Sequence, residues 1–175
     1  MSCRLAPAAA LLAALAVSQA GASERAFGAF APLVAVGTHA VADDEGLTTI
    51  TGRVRGPLYG ETDTAPEEVG LLVCAFELRL DSSSLAEEGS ATCAFEGREP
   101  GARLQARFGC EGTLGEGCVG DFVITAGFGP YQGATGGGRA TLSVRERIYG
   151  LADDNTLTET LYGLAHWERF VLRLP

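Results

Sequence analysis

Among the residues of this 175-residue chain that could do chemistry, the cysteines carry the clearest signal. Cys74, Cys93, Cys110 and Cys118 form an even set, which in an oxidising compartment reads as two disulfides. Four cysteines allow three pairings, and hairpin geometry favours one of them. Val73–Leu80 and Ala91–Phe95 flank a turn-like Asp81-Ser-Ser-Ser84; folding that hairpin about its midpoint sets Cys74 opposite Cys93. The same construction closes the loop of residues 111–117 with Cys110 and Cys118. Cysteines opposed on neighbouring strands can meet the Cβ separation that a disulfide requires. A zinc site would need a CxxC pair or a histidine close to a cysteine; neither occurs, and no metal is expected.

The other reactive side chains are sparse. His39 and His166 are the only histidines, and a general base needs an orienting partner that neither displays in sequence. His166, beside Trp167 near a strand start, reads as an ordinary surface or core-edge imidazole. No serine sits in a GxSxG elbow, and cross-linked cysteines leave no thiol nucleophile, so no catalytic residue is nominated. Asp43-Asp-Glu45 and Asp153-Asp-Asn155 could offer oxygens to calcium but lack the spacing of a calcium loop, and read as acidic turns. Gly127, Gly129, Gly133, Gly136, Gly137 and Gly138 surround Pro130 and Tyr131. A dinucleotide cradle needs a helix directly after its glycines, whereas here a strand follows; nucleotide binding is excluded and no cofactor is expected.

Charged strand faces remain. Arg103, Gln105 and Arg107 share one face, Glu77 and Arg79 another, and Asp121 lies on a third strand. If the apolar faces fill an interior, these charges form a solvated wall, the favoured reading because it avoids burying charge. If the apolar faces pack outward, the charges line a cavity, and forked arginines could hold a carboxylate. Glu77, Arg107 and Tyr131 are the candidate ligand-facing residues on that second reading.

The elements that would position these groups are strands. Arg103–Cys110 alternates Leu104, Ala106, Phe108 and Cys110 against Arg103, Gln105 and Arg107, a half-buried strand. Leu72, Cys74, Phe76, Leu78 and Leu80 share a face in the same way. Cys118–Thr125 and Arg139–Glu146 alternate on either side of the glycine-dense connection, which cannot be a stable helix. Leu142, Val144, Glu146 and Ile148 oppose Arg145, Arg147 and Tyr149. Leu33–Gly37 begins a strand after a poorly structured stretch, residues 23–32, ending in Pro32. Leu47–Arg55 is a strand that breaks at Gly56-Pro57, and residues 60–68 are an exposed loop. Two last strands are expected, Leu157–Tyr162 and Trp167–Leu174. Turn signals recur at Asp43–Gly46, Arg98–Gly101 and Asp153–Asn155. Twenty-four glycines and no convincing helix argue for an all-β sandwich or barrel.

The start of the chain reads as a targeting segment. Arg4, the apolar run Leu5–Val17 and the small residues before Ala22 have the pattern of a signal peptide, residues 1–22. No stretch is long enough for a membrane span. Residues 23–175 then form a single exported domain, secreted or periplasmic. The net charge is −9 with every basic residue an arginine, and loss of Arg4 makes it one charge more negative. An acidic chain is repelled by phosphate backbones and anionic lipids, so no nucleic acid and no membrane are expected as partners.

The stretch CVGDFVITAGFGPYQGATG, Cys118–Gly136, resembles the strand–GGTGxFxGAxG–strand signature of the allene oxide cyclase and dirigent barrel superfamily, in particular its small exported bacterial members. Tyr131 matches the aromatic of that signature, and Gly127, Gly129, Gly133 and Gly136 its glycines. Ala126 and Phe128 stand in place of a glycine and a threonine, and Pro130 in place of a basic residue. The ending Gly163–Pro175 is similar to the final strand of those exported proteins. The resemblance implies a closed antiparallel β-barrel, often assembled as a homodimer or homotrimer through its outer wall. The expected function is a non-catalytic binding or structural module. The alternative is a cyclase or isomerase-like barrel that steers a small apolar or phenolic ligand in its lumen, chemistry that needs few ionisable groups.

Overall fold

The computed structural model describes residues 23–151 and 157–175, with residues 144–151 and 157–161 described by their backbone. The leader expected over 1–22 and the turn expected at Asp153–Asn155 lie outside the described residues, as do the side-chain faces expected from Val144 to Tyr149.

Eight strands follow one another: β1 (Ser23–Ala42), β2 (Leu47–Gly60), β3 (Glu67–Asp81), β4 (Ala86–Gly97), β5 (Arg103–Thr113), β6 (Gly117–Phe128), β7 (Thr135–Leu151) and β8 (Leu157–Leu174). Each pairs antiparallel with the next, and β8 pairs with β1, so the sheet closes into an up-and-down barrel. Closure leaves no strand edge open to another chain. The sole helical piece among the described residues is a 3₁₀ turn, Gly129–Tyr131, between β6 and β7.

The apolar strand faces point inward. Ala29, Ala31, Leu33 and Ala35 of β1, Leu72 and Cys74 of β3, and Leu104 and Ala106 of β5 are all buried. Their neighbours Arg103 and Arg107 are exposed, as are Arg79 and Asp121, so the charged faces form a solvated outer wall. The period of two in the sequence thus translates into inside and outside.

Both disulfides expected from the sequence are present. Cys74 lies directly opposite Cys93 in the β3–β4 register, with Cα atoms 4.0 Å apart. Cys110 and Cys118 are not directly opposed: Cys110 faces Gly120 and Gly112 faces Cys118. Their bridge runs diagonally across β5 and β6, with Cα atoms 5.4 Å apart. The turn at Gly115 is centred later than the midpoint of the two cysteines, which accounts for the offset.

Three strand expectations change. Residues 23–32 are ordered strand, the first half of β1, where Ser23–Val34 pairs with β8 and closes the barrel. The β2 strand continues past Gly56-Pro57 to Gly60. Proline read as a strand end in both places, but Pro32 and Pro57 face the same seam. There the β1–β2 register passes from Phe30↔Tyr59 to Val34↔Arg55, while Pro32↔Leu164 and Pro57↔Leu71 keep the flanking pairings intact. A missing donor on each side of one seam interrupts that seam alone. Finally, Leu157–Leu174 is one continuous strand rather than two, and His166 sits within it, away from its start.

Candidate functional site

Small inward residues leave the lumen partly open. Ala29 and Ala106 border a cavity of about 660 Å³ that opens at the barrel end carrying the β2–β3, β4–β5 and β6–β7 connections. A second cavity, about 100 Å³, lies toward the other end and is bordered by Ala35, Leu78, Glu87 and the Cys110 edge. Leu72, Phe122 and Trp167 belong to both walls and therefore partition the lumen.

The larger cavity is aromatic in depth and charged at its mouth. Phe122 meets Trp167 edge-on, with ring centroids 5.2 Å apart at 82°, and Phe170 at 5.9 Å. Phe27 extends this cluster through Phe170 at 5.5 Å, while Phe95 and Tyr131 form a separate pair at 6.2 Å. Trp167 is 3% exposed, and its Nε1–H has no hydrogen-bond partner; it is the one such buried side-chain atom among the described residues. Its edge-on contacts with Phe122 and Phe170 are the geometry in which aromatic quadrupoles attract.

At the mouth stand Arg25, Glu61, Glu67, Glu68, Arg98 and Glu99. Arg98 Nη1 lies 3.5 Å from Glu67 Oε1, and His166 Nε2 lies 3.7 Å from Glu61 Oε1. Tyr131 reaches this rim because the 3₁₀ turn folds across the barrel end. There Gly129 takes φ +61°, and a Cβ would strike the carbonyl oxygen of Gly101 on the neighbouring connection. Burial raises the Tyr131 phenol above its ordinary pKa; Glu99 adds to the rise and Arg25 opposes it. The hydroxyl therefore stays protonated, a donor at the cavity mouth.

The three candidate ligand-facing residues do not converge. Tyr131 lines the mouth of the larger cavity. Glu77 borders the smaller one, its half-exposed carboxylate paired with Arg79 Nε at 3.0 Å. Arg107 is exposed on the outer face of β5, opposite Thr92 and Val123. Of the motif glycines, Gly127 lies near the end of β6 against the carbonyl of Tyr131, Gly133 follows the 3₁₀ turn beside Pro175, and Gly136 lies near the start of β7 against the Val171 carbonyl. They shape the closure instead of lining a site. His39 is exposed near the end of β1.

Two features escaped the sequence reading. Glu87, 7% exposed, is the one charged side chain buried among the described residues, and it faces the smaller cavity. Its parity with Cys93 along β4 carried that signal: Glu87, Gly89, Ala91 and Cys93 share a face. The aromatic cluster was equally readable in part, because Phe122 shares a face with Cys118 on β6.

No protein family and no curated protein matches this chain. Among solved structures it is similar to the pterocarpan synthase dirigent protein GePTS1. The match has 15% identity over 87% of this chain and 89% of that one, with a TM-score of 0.45. The barrel architecture stated above rests on this chain's own strand pairing.

Proposed function

We propose that this protein is an exported, non-catalytic barrel that binds a small apolar or phenolic molecule in its larger cavity. The observation that carries this reading is the cavity itself: about 660 Å³ of lumen walled by aromatic and aliphatic side chains. That volume lies within the roughly 300–1,000 Å³ typical of small-molecule sites. Apolar depth supplies affinity through burial, and the Tyr131 hydroxyl offers one oriented donor at the entrance. Two disulfides and the leader pattern support export, since such bridges persist in oxidising compartments.

Titrating the disulfide-intact protein with N-phenyl-1-naphthylamine, a neutral apolar fluorophore, tests the reading. Saturable single-site binding is expected, with quenching of Trp167, the only tryptophan. Filling the cavity with Ala106→Phe, or narrowing its mouth with Val69→Phe, should weaken binding at least tenfold while circular dichroism stays unchanged. Absence of saturable binding, or binding indifferent to both variants, overturns it. Chemical recovery of the bound molecule unaltered separates binding from a cyclase or isomerase-like activity in the same cavity.

A further inference from the structure

We infer that the larger cavity takes an organic cation: an aromatic amine or quaternary ammonium compound whose rings enter the lumen while its charge stays near the mouth. The inference rests on the cavity reading above and adds the sign of the ligand's charge.

The wall gives the first reason. Aromatic rings line this cavity from its depth to its mouth, where Tyr131 stands with the Phe95 ring 6.2 Å from its own, within reach of a charge held at the rim. Ring faces carry negative quadrupole density, and clustered aromatics are the usual protein means of holding alkylammonium groups. A neutral ligand gains only apolar contact from the same wall. An anion gains nothing from the ring faces and loses its hydration as it enters.

The rim gives the second reason, independent of the first. Four carboxylates face two guanidiniums there. Arg98 is taken up by Glu67, which leaves Arg25 as the one guanidinium among the described rim residues to face Glu61, Glu68 and Glu99. Glu61 has the His166 imidazole 3.7 Å away but no arginine, and Glu68 has no ion pair among the described residues. The chain as a whole carries −9, so the distant field has the sign of the rim and draws cations toward it. Both carboxylates are exposed, so their effect is moderate and screened by salt.

Equilibrium dialysis with three probes sharing one ring system provides the test: (1-naphthylmethyl)trimethylammonium, 1-methylnaphthalene and 1-naphthylacetate. At low ionic strength the cation should bind about tenfold more tightly than the neutral probe, and the anion most weakly; molar salt should narrow the spread. The double variant Glu61→Gln/Glu68→Gln should weaken the cation about fivefold more than the neutral probe, consistent with two exposed charges of modest individual weight. Binding of the anion as tight as that of the cation overturns the inference alone, and so does a cation-to-neutral ratio untouched by the double variant. Failure of all three probes to bind overturns the cavity reading and takes this inference with it.

Discussion

Asp81 accepts hydrogen bonds from the backbone N–H of Ser83 at 2.8 Å and from the hydroxyls of Ser83 and Ser84 at 2.7 Å each. The Ser83 hydroxyl, then that of Ser84, then the Ser83 amide hold the carboxyl well below the usual carboxylate range. A depressed folded pKa means that the ionised form stabilises the fold. The contribution is complete above the unfolded value, about 3.9, and fades as pH falls from there through the folded pKa. Asp81→Asn should therefore lower the urea midpoint at pH 7. The gap to the parent should hold constant down to about pH 5 and narrow below about pH 4, because only the parent has this proton to gain. Urea titrations across that range check it; a gap that widens in acid contradicts the assignment. The sequence marked Asp81–Ser84 as a turn, yet it could not show that the carboxylate organises it. Nor could it show that Leu85 would be left at φ +59° beside it, a conformation that local spacing does not announce.

At the scale of elements, alternation within a strand was legible and the ends of strands were not. Arg103–Cys110 and Leu72–Leu80 read correctly because a half-buried strand stamps its period on side-chain polarity. The long strand β1 was cut short because Pro32 mimics a boundary, and β8 was split in two at Gly163–His166; only pairing partners far away in sequence show that they continue. The glycine-dense segment is the intermediate case. Its glycines were readable as backbone needing unusual room, and Gly136 shows what that room is for. It takes φ +132°, and a Cβ there would collide with the carbonyl of Val171 on β8. Since Gly136 pairs with Leu172 in the β7–β8 register, a side chain must force β7 away from β8. Gly136→Val should cost about 3 kcal/mol, the scale of left-handed backbone strain compounded by displacement of a packed strand. Chemical denaturation measures it; a loss under about 1 kcal/mol would show that the seam yields easily.

On the scale of the whole molecule, a closed barrel was the expectation, and a ligand-holding lumen was the alternative that the resemblance implied. Eight strands can enclose either a filled core or a ligand chamber, depending on tilt and stagger as well as on side-chain size. The inward alanines of β1, β5 and β8 were legible in the sequence as small residues, but the radius they would face was not. The structure shows that Leu72, Phe122 and Trp167 divide the hollow, and Leu72 is the aliphatic member of that partition. It is 2% exposed, so truncation removes buried methyl groups from a wall already adjoined by empty space on both sides. Leu72→Ala should thus destabilise the barrel by about 3 kcal/mol, within the range for buried leucine truncation. It should also join the two chambers into one longer lumen. A protein weakened in this way but lengthened inside makes an unusual signature: the thermal midpoint falls while affinity for extended apolar probes rises relative to compact ones. Comparing naphthyl probes that bear successively longer alkyl chains, parent against Leu72→Ala, reads both effects. If chain length matters equally in the two proteins, the partition is no barrier to a ligand and the chambers already communicate.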